Sequence, residues 1–176
     1  VAIHPVGAEL KTVVHKEHQL EYIWQGDPAF WAKSSPVLFP IVGELKEKTY
    51  RYKGQSYRLS RHGFARENEF AITDQQEQTA TFMLESNAET LALYPFPFSF
   101  FLIYSLEEDT LQVTYRVVNT GKEEMLFSVG GHPAFNVPLV QGTAYTDYRL
   151  ELNRQGNPCR WPSRAPSIVS PRPVCV

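Results

Sequence analysis

The chain has 176 residues, 43% hydrophobic and 20% charged, a size and composition that suit one globular domain with a single sizeable core. Its 17 basic and 19 acidic residues nearly cancel, for a net charge of -2, which removes any general attraction to nucleic acid or anionic membrane. No apolar run approaches the roughly 18 residues that span a bilayer, and Val1 to Pro5 lacks a basic region leading into an apolar one, so a soluble, cytoplasmic protein is expected.

In chain order, residues 1 to 27 read as two or three short strands. Ala8 to Val14 is strand-prone, Leu20 to Trp24 alternates, and Gly26-Asp27-Pro28 breaks the pattern. Asp27 can cap a single helical turn through Pro28 to Trp31. The apolar, proline-bounded stretch Ser35 to Gly43 suits a buried edge segment or loop better than a central strand. Tyr50 to Leu59 reads as a hairpin turning at Lys53-Gly54. Glu69 to Thr73 and Thr79 to Glu85 form a further antiparallel pair, and a brief helical turn is expected between Ser86 and Leu93, ended by Pro95. The clearest pair is Phe98 to Leu106 with Leu111 to Val118, turned at Glu107 to Thr110. After the turn Asn119 to Lys122, Met125 to Val129 reads as another strand. Short strands with little helix predict an all-β, antiparallel β-sandwich. From about residue 154 the chain becomes rich in proline, serine and arginine without alternation, so the domain is placed at residues 1–153 and residues 154–176 are expected to be a disordered tail. Cys159 and Cys175 form neither a metal-ligand cluster nor a disulfide framework.

Two glycine-adjacent loops carry histidines: Arg61-His62-Gly63-Phe64-Ala65-Arg66, and Gly130-Gly131-His132-Pro133-Ala134-Phe135-Asn136, directly after the expected strand Met125 to Val129. The two glycines allow positive φ or close approach of another group. Pro133 keeps His132 out of the helical region. Each histidine is either a turn residue bonded to nearby backbone or a proton-transfer group working near neutral pH. Neither has a second histidine or a carboxylate at metal-ligand spacing, so zinc is a poor fit. With Arg61, Arg66 and Asn136, the set suits a polyhydroxylated ligand, against whose apolar face Trp31, Phe64 or Phe135 would lie. The alternative for each aromatic is core packing.

Leu38-Phe39-Pro40-Ile41-Val42-Gly43, Tyr52-Lys53-Gly54, Arg61 to Arg66 and Gly131 to Asn136, in this order, resemble the aldose 1-epimerase (galactose mutarotase) superfamily, and within it the LacX-like branch. The resemblance runs from about Pro5 to Leu152. It implies a β-supersandwich that binds a monosaccharide, a hexose, without metal or organic cofactor. By motif, His132 matches the family's general acid, which protonates the ring oxygen while a carboxylate deprotonates the anomeric hydroxyl, and His62 matches the histidine that hydrogen-bonds the sugar. Arg66 is carried over as a contact either to the ligand or to the residues that hold it, and Asn136, from the residue types alone, is taken as substrate-binding.

Two departures accompany the resemblance. Glu44 stands where relatives place a basic or amide residue facing the sugar, and the family's catalytic glutamate and sugar-binding aspartate lie beyond the last residue here. The expectation is therefore a sandwich incomplete at its C-terminal end. The protein is then either an aldose 1-epimerase-like enzyme or a carbohydrate-binding or inactive module lacking the base, with Glu44, Asp147 and Glu151 as the carboxylates that could restore it.

Overall fold

A computed structural model describes residues 1–150, so the tail expected at 154–176 lies outside the described residues. The expectation of an antiparallel all-β chain is met: the described residues form twelve strands, one short α-helix and three single 3-10 turns. Four short strands open the chain, β1 (Ala2–His4), β2 (Glu9–Thr12), β3 (Val14–His15) and β4 (Leu20–Glu21), paired antiparallel as β1 with β2 and β3 with β4. The run Ala8 to Val14 thus divides at Val13, whose carbonyl accepts from Tyr22 N at 2.9 Å and whose N–H donates to the Glu21 carboxylate at the same distance. Asp27 caps a turn as expected, its Oδ1 accepting from Ala29 N and its carbonyl from Trp31 N at 2.8 Å.

β5 (Val37–Leu38) follows, and β6 (Thr49–Tyr52) and β7 (Gln55–Arg58) make the expected hairpin. Lys53 and Gly54, at φ +46° and +80°, supply the two positive φ angles that a tight hairpin turn of matching twist requires. The opposed Tyr50 and Tyr57 stack at 5.4 Å on one face.

The largest sheet has the order β11-β10-β9-β8, from β8 (Ala71–Gln75), β9 (Thr79–Glu85), β10 (Phe98–Glu107) and β11 (Thr110–Asn119). Between β9 and β10 lies α1 (Ala88–Leu93), started by a capping box in which Asn87 and Thr90 each bond the other's backbone N–H. Strict alternation in β10 turns Phe98, Phe100, Leu102 and Tyr104 to one side, all 4% exposed or less. That row meets the loops and ribbons: Phe39 packs on Phe100 at 4.7 Å and on Phe98 at 5.0 Å, Phe70 packs on Phe100, and the Tyr104 hydroxyl donates to Ala8 O at 2.7 Å. β11 is the outer strand of this sheet, and its inward residues Leu111, Val113, Tyr115 and Val117 are only partly buried.

One expectation is corrected. Met125 to Val129 does not form a strand of its own; the ladder is confined to β12 (Gly130–Gly131), paired antiparallel with β5. The pairing nevertheless continues on both sides in one register, with Ser128 N on Pro40 O (2.9 Å), His132 N on Pro36 O (3.0 Å) and Ala134 N on Ser34 O (2.9 Å). Pro36 and Pro40 accept from this neighbour but have no N–H to return, so the ladder is thinned to single bonds. Of the two uses expected for the glycines, the structure shows close approach and not positive φ. Neither Gly130 nor Gly131 has positive φ, and a Cβ on Gly131 would lie 2.5 Å from the Tyr115 hydroxyl oxygen, so any larger residue there would have to displace that side chain.

Candidate active site

The segment 34–43, buried from Pro36 to Pro40, has a neighbour on each side. Residues 128–134 run along one side, while Phe64 N and Ala65 N both donate to Phe39 O on the other, so the two histidine loops are attached to the same piece of chain. Gly63 makes the second attachment possible: it has φ +72°, and a Cβ there would stand 2.5 Å from the Phe39 carbonyl carbon and 2.7 Å from Pro40 Cδ. As a result the His62 and His132 rings, seventy positions apart in sequence (132 minus 62), come to 6.1 Å between centroids, edge to face.

His62 is fixed at both ends. Its N–H donates to Gly43 O at 2.8 Å, and Gly43 N–H donates to its Nδ1 at 3.0 Å. An Nδ1 that accepts leaves the proton of the neutral ring on Nε2, so His62 presents an Nε2–H donor. Its own φ of +67° is costly for a residue with a Cβ and is held by this pair of bonds. Burial first, then the charges of Arg61 and Arg66 and the His132 ring, lower its pKa below the ordinary 6.5, with Glu44 opposing. His62 is thus a neutral hydrogen-bond donor at neutral pH.

His132 is exposed, its N–H bonded to Pro36 and its ring set between Trp31 (5.1 Å, tilted 43°) and His62. Neither of its ring nitrogens is hydrogen-bonded among the described residues, which leaves both open to a ligand. Arg66 lies in the His62 loop, where its Nη2 donates to Arg61 O at 2.9 Å and its Nε faces Glu67 at 3.5 Å. Its charge reaches His62, while its guanidinium is partly committed to its own loop. Asn136 is set apart from the pair: its Nδ2 donates to Glu21 O (2.9 Å) and Ile23 O (2.8 Å), clamping the loop end to the β4 segment and using both amide hydrogens.

Of the three aromatics considered, Phe64 is a core residue, 5% exposed, packed on Phe39, Phe98 and Tyr94. Phe135 is 43% exposed and bridges Ile23. Trp31 is the one in contact with a histidine of the site. A single tryptophan after a proline turn carries no signal that separates this position from core packing.

The carboxylates are less well placed. Glu44 is exposed and pairs with Lys48 at 3.9 Å. The Asp147 carboxylate accepts from Ala144 N at 2.8 Å, and Glu151 lies outside the described residues. No group of three or more His, Cys, Asp or Glu among the described residues could hold a metal ion, and no helix there is long and apolar enough to cross a membrane. A concavity of about 830 Å³ lies elsewhere, lined by Val13, His15, His18, Phe82, Tyr104 and Leu111 among others and by none of the four site residues expected from the sequence.

The model of the aldose 1-epimerase family matches residues 1–166. The chain belongs to that family. The aldose 1-epimerase relatives include the plasmid and chromosomal LacX proteins of Lactococcus lactis subsp. lactis, each 36% identical over 159 residues, which are 87% of this chain and 53% of theirs. Among solved structures, a galactose mutarotase related enzyme from Lactobacillus acidophilus superposes with a TM-score of 0.80 at 43% identity, covering 82% of this chain and 48% of that one. A galactose mutarotase-like protein from Lactobacillus casei gives 0.75 at 40% identity, covering 79% and 47%. The chain spans about half the length of the relatives it matches.

Proposed function

We propose that this aldose 1-epimerase family member binds a hexose against the His62–His132 pair and takes part in interconverting its α and β anomers. In this reading His132 gives a proton to the ring oxygen, and the His62 Nε2–H holds a sugar oxygen. Once the ring has opened, rotation about the C1 to C2 bond and reclosure yield the other anomer. The observation that carries the reading is the pairing of the two imidazoles, one with both nitrogens open and the other fixed as a donor. Arg66 acts on the sugar through the charge it places beside His62, and Asn136 through the loop it anchors.

The base that takes the anomeric proton is the part for which the described residues offer no well-placed candidate. Glu44 and Asp147 each already face a local partner. This favours a second reading, in which these residues alone form a carbohydrate-binding half-site and the carboxylate comes from the additional length that the relatives possess.

Polarimetry on freshly dissolved α-D-galactose and α-D-glucose tests both. Under the first reading the chain accelerates mutarotation and His132→Ala removes most of that rate, a positioned acid contributing about 100- to 10,000-fold. Under the second, hexose binds and the rotation decays at the buffer rate. Absence of both binding and rate refutes both readings.

A further inference from the structure

We infer that Trp31 is a second wall of this site, orienting the His132 imidazole and presenting its own ring to the apolar face of the hexose; the sugar contact rests on the function proposed above. The His132 ring has no hydrogen bond among the described residues to set its angle, so packing must set it, and of the two rings packed on it Trp31 is the nearer, its centroid 5.1 Å away against 6.1 Å for His62. A ring tilted 43° on its neighbour restricts rotation about the imidazole's χ2 without occupying either nitrogen.

The indole can do this because its own backbone is tied down. Trp31 N donates to Asp27 O at 2.8 Å, and Trp31 O accepts from the Trp24 indole N–H at 2.8 Å. Three residues further on, the Glu9 carboxylate accepts from Ser34 N and Ser35 N at 2.7 and 3.0 Å. Trp31 therefore stands on a short segment pinned at both ends, and it is only partly buried. A residue of pure core would be sealed, whereas Trp31 keeps part of its surface open beside an imidazole whose nitrogens have no hydrogen bond among the described residues. A pyranose offers the complement, hydroxyls at its rim for the histidines and a C–H face for the indole.

The test uses the whole chain, labelled with nitrogen-15 and titrated with D-galactose and D-glucose. The indole N–H signal of Trp31 is identified by its disappearance in Trp31→Phe, and equal denaturation midpoints confirm that the variants fold. Hexose is expected to move the Trp31 indole and His132 signals together, with affinity falling about tenfold in Trp31→Ala and staying within about threefold in Trp31→Phe. Unchanged affinity in Trp31→Ala, or a hexose that shifts His132 and leaves the indole still, overturns the inference. A wild-type chain that binds no hexose refutes the proposed function instead. The mobility of the His132 ring in sugar-free Trp31→Ala, read from the relaxation of its ring signals, then decides the orienting role: a loosened ring sustains it, and one as fixed as in the wild type overturns it.

Discussion

Gly63→Ala should be among the most damaging single-methyl additions to this protein. The residue sits at φ +72°, where a Cβ costs about 1 to 2 kcal/mol by itself. The added carbon would also overlap the Phe39 carbonyl, and that carbonyl cannot retreat freely, because it accepts from Phe64 N at 3.0 Å and Ala65 N at 3.2 Å. Weakening both bonds adds about 1 kcal/mol each. The sum is about 3 to 4 kcal/mol, a large part of the 5 to 15 kcal/mol by which domains are typically stable. Gly54→Ala is the internal control, since Gly54 has φ +80° with nothing within 4 Å of the Cβ position, so only the backbone strain applies. Urea unfolding of the two variants measures the difference. With a slope of about 2 kcal/mol per molar, Gly63→Ala should lower the midpoint by about 1.5 to 2 M, and Gly54→Ala by about 0.5 to 1 M. Equal losses in the two would refute the argument from close approach. Because Gly63 follows His62 directly, hexose affinity should fall with stability in the first variant and stay unchanged in the second.

His62 makes stability depend on pH in a definite direction. Its folded pKa is lowered, by burial first and then by Arg61, Arg66 and His132, so below 6.5 the unfolded chain takes up the proton more readily than the folded one. The contribution is whole above pH 6.5 and declines as pH falls from there toward the folded midpoint. An imidazole signal of His62 that titrates at or above 6.5 would contradict this. Asn136→Ala removes two bonds to the carbonyls of Glu21 and Ile23 and should cost about 2 kcal/mol, read from denaturant midpoints. A loss below a few tenths would mean that water replaces the clamp.

The long hairpins were readable because each depends on neighbours in sequence. Alternation in Phe98 to Leu106 declares which side of β10 is buried, and Lys53-Gly54 declares a turn whatever lies beyond it. The two histidine loops were readable as motifs, yet the reason they meet is not local. It depends on Phe39 O receiving two N–H groups from residues 64 and 65, and on a register between residues 128–134 and 34–40 that periodicity in either segment alone does not reveal. The same limit explains the strand expected at Met125 to Val129, where the composition is strand-like but the partner carries prolines. Trp31 was ambiguous for a related reason, since its contact is with a residue about a hundred positions away. The glycines before His132 suggested positive φ or the close approach of another group; that the group is the Tyr115 hydroxyl, on a different strand, is not written in either segment.

The sparse pairing of residues 128–134 with 34–40 bears on where a chain of this kind can tolerate a change in length. Side chains alternate along extended backbone, so inserting one residue between Ser128 and His132 would either turn the imidazole away from His62 or push proline positions into places that demand an N–H. The Glu108-Asp109 turn joining β10 and β11 carries no such restriction, because extra residues there leave the register on both sides intact. Natural length variation and engineered insertions alike should therefore collect at the tips of the long hairpins and be missing from the five positions from Ser128 to His132, with the placement of His132 beside His62 held by residue count as strictly as by residue type.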